Sequence, residues 1–147
     1  VRSMGMALTP CTIPAAGKPG FTIGETEMEI GMGIHGEPGI NRTDIATADE
    51  VAETLLTKVL DDLQLEENSK VAVMINGLGA TPLMELYIVN KKVADMLTAR
   101  NITVHETFVG EFMTSIEMAG CSVSILKLDD ELTELLDAAA NTVAFKK

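Results

Sequence analysis

Aromatic side chains are nearly missing from this sequence: they make up 3% of it, with no Trp and one Tyr. There is therefore no platform of rings on which bases or sugars would stack. Positive charge is also scarce, since 11 Lys and Arg stand against 22 Asp and Glu, a formal net charge of −11. Such a surface repels phosphate backbones and anionic lipid, which excludes nucleic acid and the membrane surface as primary partners. The two cysteines, Cys11 and Cys121, are too few for a disulfide framework and too far apart in sequence for a zinc pattern. A reducing, cytoplasmic setting is the expectation. No apolar run reaches the roughly 18 residues of a membrane span. The N-terminus has neither a signal-peptide apolar stretch nor an initiator Met, and Val1-Arg2-Ser3 reads like the middle of something, so a piece of a longer protein is expected.

What remains is an aliphatic chain of 147 residues, 46% hydrophobic with nine Met, long enough to bury one core. A short strand is expected to end near Ile13, because Pro10 and Pro14 exclude a continuous helix there. Residues 14 to 26 are rich in Gly and Pro and read as a long loop of the kind that often carries function. Thr47-Ala48-Asp49-Glu50 is a capping box ahead of Val51, Leu55, Leu56, Val59, Leu60 and Leu63 at helical spacing, which predicts a helix over 48–64. Val71 to Asn76 is a continuous apolar run, as in a strand covered on both faces. After the turn Asn76–Thr81, Thr81 as cap and Pro82 at the first helical position start a helix to about Arg100. Ile102–Val109 and Ser122–Leu128 alternate as strands, and Asp129 caps a last helix to about Ala139. The fold class is α/β: one domain with a mixed, partly parallel sheet flanked by helices, in which the 71–77 and 102–109 strands are parallel because a long helix crosses between them.

Chemistry is concentrated at few positions. Gly77-x-Gly79 before a helix suggests a phosphate turn, but Pro82 stands where the third glycine of the dinucleotide fingerprint belongs, so a structural turn is favoured. His105 alternates with Thr103 and Thr107 on a polar strand face, with no nucleophile or carboxylate pair at a spacing tied to it, and reads as a surface or hydrogen-bonded residue. Both cysteines read as packing residues.

Glu27 to His35 alternates along its whole length, placing Met28, Ile30, Met32 and Ile34 on one strand face and Glu27, Glu29, Gly31, Gly33 and His35 on the other. Two successive positions without side chains precede the imidazole, so a small molecule or another backbone could approach the strand there. Glu37 shares the polar surroundings of His35, and Pro38-Gly39 fits the centre of a type II turn. A lone neutral imidazole offers metal ligation, general base work or attack on an electrophilic carbon, and further metal ligands are lacking.

The runs Cys11–Pro19, Met28–Gly39, Asn76–Tyr87, Thr114–Gly120 and Leu126–Glu131 together resemble the C-terminal domain of the substrate-binding subunit of dihydroxyacetone kinase, over nearly the whole chain. The resemblance implies that His35 is the catalytic, substrate-binding residue, adding through a ring nitrogen to the ketone carbon of dihydroxyacetone to give a hemiaminal. Glycerol, similar in size, has no electrophilic carbon to attack. It also implies a separate N-terminal domain, without counterpart in these residues, that supplies a second histidine, an aspartate base and a glycine-rich loop. A fragment of this kind is expected to be inactive alone. No cofactor or metal is expected on this chain. ADP or ATP with Mg is expected on a nucleotide-binding kinase subunit, fed by a phosphotransferase relay or, in fused forms, by ATP, and the assembly is expected to be a homodimer. A non-catalytic coactivator paralogue that binds dihydroxyacetone as a signal is the alternative.

Overall fold

The computed structural model describes residues 1–32 and 39–147. In chain order the elements are β1 (Arg2–Ala7), β2 (Glu27–Ile30), β3 (Asn41–Asp44), α1 (Ala48–Leu63), β4 (Lys70–Gly77), α2 (Leu83–Ala99), β5 (Thr103–Gly110), β6 (Gly120–Leu128) and α3 (Asp130–Asp137). Among the described residues the strands form one mixed sheet in the order β3-β2-β1-β6-β4-β5. The pairing of β4 with β5 is parallel and all other pairings are antiparallel. The parallel pair is the one joined by α2, as a crossover connection requires.

Alternation along the strands sorts the sheet into two faces. Met6, Cys121, Val123, Ile125, Val73 and Ile75 share one face through their cross-strand register, and all are buried. Helices α1 and α2 cover that face with Leu55, Leu56 and Val59 from one and Leu86, Val93 and Leu97 from the other. Truncating a fully buried leucine of this layer, such as Leu55, to alanine is worth about 2–5 kcal/mol. The opposite face is built of smaller and more polar side chains. Ser3 pairs with Ser124 and Gly5 with Ser122, while Asn76 lies across from Ser122 on β4.

Helix α1 starts as its sequence predicts: Thr47 accepts the Glu50 N–H and the Glu50 side chain returns to the Thr47 backbone. It stops at Gln64, which takes the left-handed conformation at φ 48. Helix α3 is capped by the Asp129 carboxylate at 2.7 Å from Leu132 N and ends two residues earlier than expected, because Ala138 is extended.

Three expectations need correction. The first strand is Arg2–Ala7 and does not run on to Ile13, which lies in the irregular segment before β2. The strand expected over Glu27–His35 stops at Ile30, because Gly31 turns to φ +82, a conformation outside the β region. Thr81 does not cap α2. Pro82 holds that position without a side-chain bond, and the Thr81 hydroxyl is engaged with Gly120. A polar strand, Asn41–Asp44, was not expected at all.

Candidate functional site

His35 lies in the segment 33–38, outside the described residues, as do Glu37, Pro38 and the turn expected there. The residues on either side of that segment define a closed stem. Ile40 N donates to Ile30 O at 2.8 Å, continuing the β2–β3 pairing of Ile30 with Asn41. Gly31 N donates to Gly5 O at 2.7 Å, so the outgoing chain runs beside β1. A side chain at Gly5 would point at the Met32 carbonyl, 3.5 Å away, and at Ser122 Cβ, 3.4 Å away. The Met32 carbonyl therefore lies over Gly5 on the sheet face that carries Ser122.

Both described glycines of the stem are dictated by close approach. A Cβ on Gly31 would sit 2.6 Å from Ile40 Cγ1, and one on Gly39 would sit 2.4 Å from Glu29 Cγ and 2.8 Å from Ile30 O. The space left by Gly31 is thus filled by another part of the chain. Glu29 has its side chain only 12% exposed; its Oε1 accepts the Gly39 N–H at 2.9 Å and its Oε2 accepts Arg42 Nη2 at 2.9 Å. Sequence reading placed Glu29 on the polar strand face but assigned it no role, and Arg42 was missed. The missing signal was the strand Asn41–Asp44, which sets Arg42 directly across from Glu29.

The other motif segments meet just beyond the C-terminal end of β1, where β4 ends and β6 begins. Leu8 N donates to Ala119 O at 2.7 Å, Thr12 N to the Glu117 carboxylate at 2.7 Å, and Ser115 Oγ to Cys11 Sγ at 3.3 Å. Ser115 N reaches Leu78 O at 2.7 Å, and Gly79 bridges to Met118. Asn76, 1% exposed, accepts the N–H groups of Phe112 and Met113 at 2.9 and 2.8 Å and donates to Met113 O at 2.9 Å. Every hydrogen-bonding group of its amide is in use. Glu117 has its carboxyl held below the usual range by its own backbone N–H and that of Thr12.

The phosphate-turn idea finds no support at Gly77-x-Gly79. A Cβ at Gly77 would lie 2.1 Å from Glu111 Oε1, so a carboxylate packs against the turn, and its negative charge repels an anion there. A groove of about 500 Å³ alongside is lined by Gly79, Pro82, Leu83, Leu86, Val109 and Glu111, and carries no cationic side chain among the described residues. The turn serves structure: Gly79 has φ +126 and would place a Cβ 2.0 Å from Ile116 O.

His105 is hydrogen-bonded, Nε2 lying 2.8 Å from Asp137 Oδ1, a partner 32 positions away that no spacing rule could pair with it. Cys121 is buried, and burial, with the charge of Glu85 second, pushes its thiol up to about 12. Such a thiol is inert. Cys11 is half-buried in a loop rather than a strand. Among the described residues no group of His, Cys, Asp and Glu side chains is arranged to hold a metal, and no helix is long and apolar enough to cross a membrane.

The model of the Dak1 domain matches residues 1–144. The chain is 44% identical over 146 residues to the dihydroxyacetone-binding subunit DhaK of PTS-dependent dihydroxyacetone kinase 1 from Listeria innocua, covering 99% of this chain and 44% of that one. It is 43% identical over 146 residues to D-erythrulose kinase of Mycolicibacterium smegmatis, covering 99% of this chain and 25% of that protein. Among solved structures, the dihydroxyacetone kinase operon co-activator Dha-DhaQ superposes with a TM-score of 0.84 at 31% identity, covering 93% of this chain and 43% of that one. The chain therefore spans less than half the length of each of these relatives.

Proposed function

This chain belongs to the Dak1 domain family, and on that premise we propose that it is the ketone-capturing C-terminal domain of a dihydroxyacetone kinase subunit, with His35 as the covalent anchor. The observation that carries this reading is the 44% identity, over 99% of the chain, to a dihydroxyacetone-binding subunit. The run Gly33-Ile34-His35-Gly36-Glu37-Pro38-Gly39 supplies an imidazole within a glycine-rich stretch of sequence.

The step balances with the side chain alone. A ring nitrogen lone pair of neutral His35 attacks C2 of dihydroxyacetone, forming the N–C bond as the C=O π pair moves to oxygen. The other ring nitrogen then gives up its proton, and the alkoxide is protonated to the hydroxyl of a neutral hemiaminal. Glycerol has no carbonyl carbon and is refused. A demand for a functional group separates ketone from alcohol where packing against two molecules of nearly equal shape would not. Once held, the triose presents a terminal hydroxyl in fixed orientation, which is what phosphoryl transfer chiefly needs.

The remaining parts of the reaction belong elsewhere on this reading. The base for the hydroxyl sits on an N-terminal domain of the same subunit. The nucleotide, ADP or ATP with Mg, sits on a partner subunit, a phosphotransferase relay supplies the phosphoryl group that it passes on as ATP, and the working unit is a cytoplasmic homodimer. The relative from Listeria innocua is described as PTS-dependent, which supports the relay over direct use of ATP. A net charge of −11 also disfavours a nucleotide on this chain. The fragment alone transfers no phosphoryl group.

A second reading, a dihydroxyacetone-sensing co-activator, is favoured by the TM-score of 0.84 to such a protein. Native mass spectrometry of the intact subunit with dihydroxyacetone tests the shared step. One bound triose, lost in His35→Ala and not replaced by glycerol, supports it; no adduct in the unmutated subunit contradicts it. Phosphoryl transfer with the donor subunits added then separates kinase from sensor.

A further inference from the structure

From the residues that flank 33–38 we infer that Glu29, with Arg42, is a positioning residue for ketone capture: its carboxylate fixes the chain at Gly39, where it re-enters the sheet ahead of β3. This deepens the proposed function and rests on it, since what is positioned is the segment that contains His35.

The two oxygens of Glu29 are divided between two groups that follow residues 33–38 in the chain. Oε1 takes the Gly39 N–H at 2.9 Å, immediately after the segment 33–38, and Oε2 takes Arg42 Nη2 at 2.9 Å from the strand that follows. Glu29 and Arg42 are direct partners in the β2–β3 ladder, the arrangement in which opposite charges stabilise an antiparallel pair. An exposed ion pair would hold little. Here the Glu29 side chain is 12% exposed against 43% for Arg42, so the carboxylate is largely removed from water and depends on its two protein donors.

Apart from these side-chain bonds, the return strand is held by its backbone pairing with β2. β3 is an edge strand of four residues, Asn-Arg-Thr-Asp, none of them buried, and Ile40 before it is 69% exposed. Glycine at 39 completes the device: its missing side chain lets the backbone come close enough for the N–H to reach the carboxylate, since a Cβ there would overlap Glu29 Cγ. Gly31, at φ +82 against Ile40, sets the outgoing end in the same way. Fixing the chain on both sides of residues 33–38 lowers the entropy lost when the imidazole is brought to the carbonyl carbon, so the stem acts on capture rather than on the later transfer.

The test uses the intact subunit with its donor partners, and compares Glu29→Ala, Glu29→Gln, Arg42→Met and the control Glu27→Ala. Glu27 lies on the same strand, but its carboxylate bonds Gly24 N at 2.8 Å, away from the stem. The expected result for Glu29→Ala is a KM for dihydroxyacetone raised roughly tenfold or more with kcat nearly kept. Glu29→Gln, which retains an oxygen for the Gly39 N–H, should recover most of the affinity, and Glu27→Ala should match the unmutated protein. Hydrogen exchange at the Gly39 amide, read without ligand, should quicken in Glu29→Ala. A KM and a Gly39 exchange rate both unchanged in Glu29→Ala overturn the inference, as does an equal rise of KM in Glu27→Ala. If Glu29→Ala does not fold, Glu29→Gln and Arg42→Met carry the same readouts. No ketone capture by the unmutated subunit would overturn the reading of His35 and with it the purpose given to Glu29, while the exchange arm would still report whether the carboxylate holds the stem.

Discussion

The hydroxyl of Thr81 donates to the carbonyl of Gly120 and accepts the N–H of that same residue, each at 2.8 Å, although 39 positions separate the two in sequence. One side chain thereby ties the approach to α2 to the first residue of β6. Thr81→Val keeps the shape and leaves both backbone groups of Gly120 without that partner. It should lower stability by about 1–3 kcal/mol in urea denaturation, with Thr81→Ser much closer to the unmutated protein.

Asn76 makes a second junction of this kind, and its two ends behave differently. Asn76→Leu orphans the N–H groups of Phe112 and Met113 along with Met113 O, and should cost about 3 kcal/mol or more. Asn76→Asp keeps the accepting oxygen for both N–H groups but faces the Met113 carbonyl with a buried carboxyl that holds its proton there, so burial and that carbonyl oppose ionisation. A carboxyl raised in the native state favours the fold in acid, so this variant should lose stability as pH rises. Thermal unfolding across pH measures it; a flat profile would contradict the geometry.

Much of this architecture was legible in the sequence, and the reason lies in local rules. The Thr47–Glu50 box, the apolar run at Val71–Asn76 and the crossover helix between parallel strands each follow from residues close together in the chain. The Dak1 motifs were legible as well, since they are contiguous. What escaped was non-local. Thr81 prefers a partner 39 residues away over the helix start that its position suggested. The alternation from Glu27 to His35 looked like one strand, but Gly31 leaves the β region because Ile40 returns across it. Asn41–Asp44 has polar residues throughout, so no hydrophobic period marks it as a strand. Because that strand was not foreseen, neither was the Glu29–Arg42 pair that it creates.

Two glycines should respond very differently to alanine. Gly79 combines φ +126 with a Cβ position 2.0 Å from Ile116 O, whereas Gly17, at φ +62, has nothing within 4 Å. Gly79→Ala should cost about 3 kcal/mol or more and disturb the junction with residues 115–118. Gly17→Ala should cost only about 1–2 kcal/mol, the ordinary left-handed penalty. Equal midpoints in urea for the two variants would refute the close approach at Gly79.

The carboxyl of Asp137 is held below its usual range, first by the hydrogen bond to His105 and then by the charges of His105 and Lys147. A carboxyl depressed in the fold contributes stability that is present above the unfolded value of about 3.9 and is lost as pH falls through the lower native one. Asp137→Asn and His105→Ala should therefore lower thermal stability modestly near neutrality and leave it almost unchanged at the acid end, so that the acid limb flattens. An acid limb unchanged in both variants would show that the pair contributes nothing.

The central claim is a bond between His35 and a ketone carbon, and scalar coupling reads that bond directly. The intact subunit, labelled with ¹⁵N in histidine, is mixed with dihydroxyacetone carrying ¹³C at the carbonyl position. The account predicts a new tetrahedral-carbon resonance that couples through one bond to an imidazole nitrogen and vanishes in His35→Ala. A labelled carbon that stays in the ketone and hydrate resonances of free dihydroxyacetone, with no coupling to nitrogen, would contradict it.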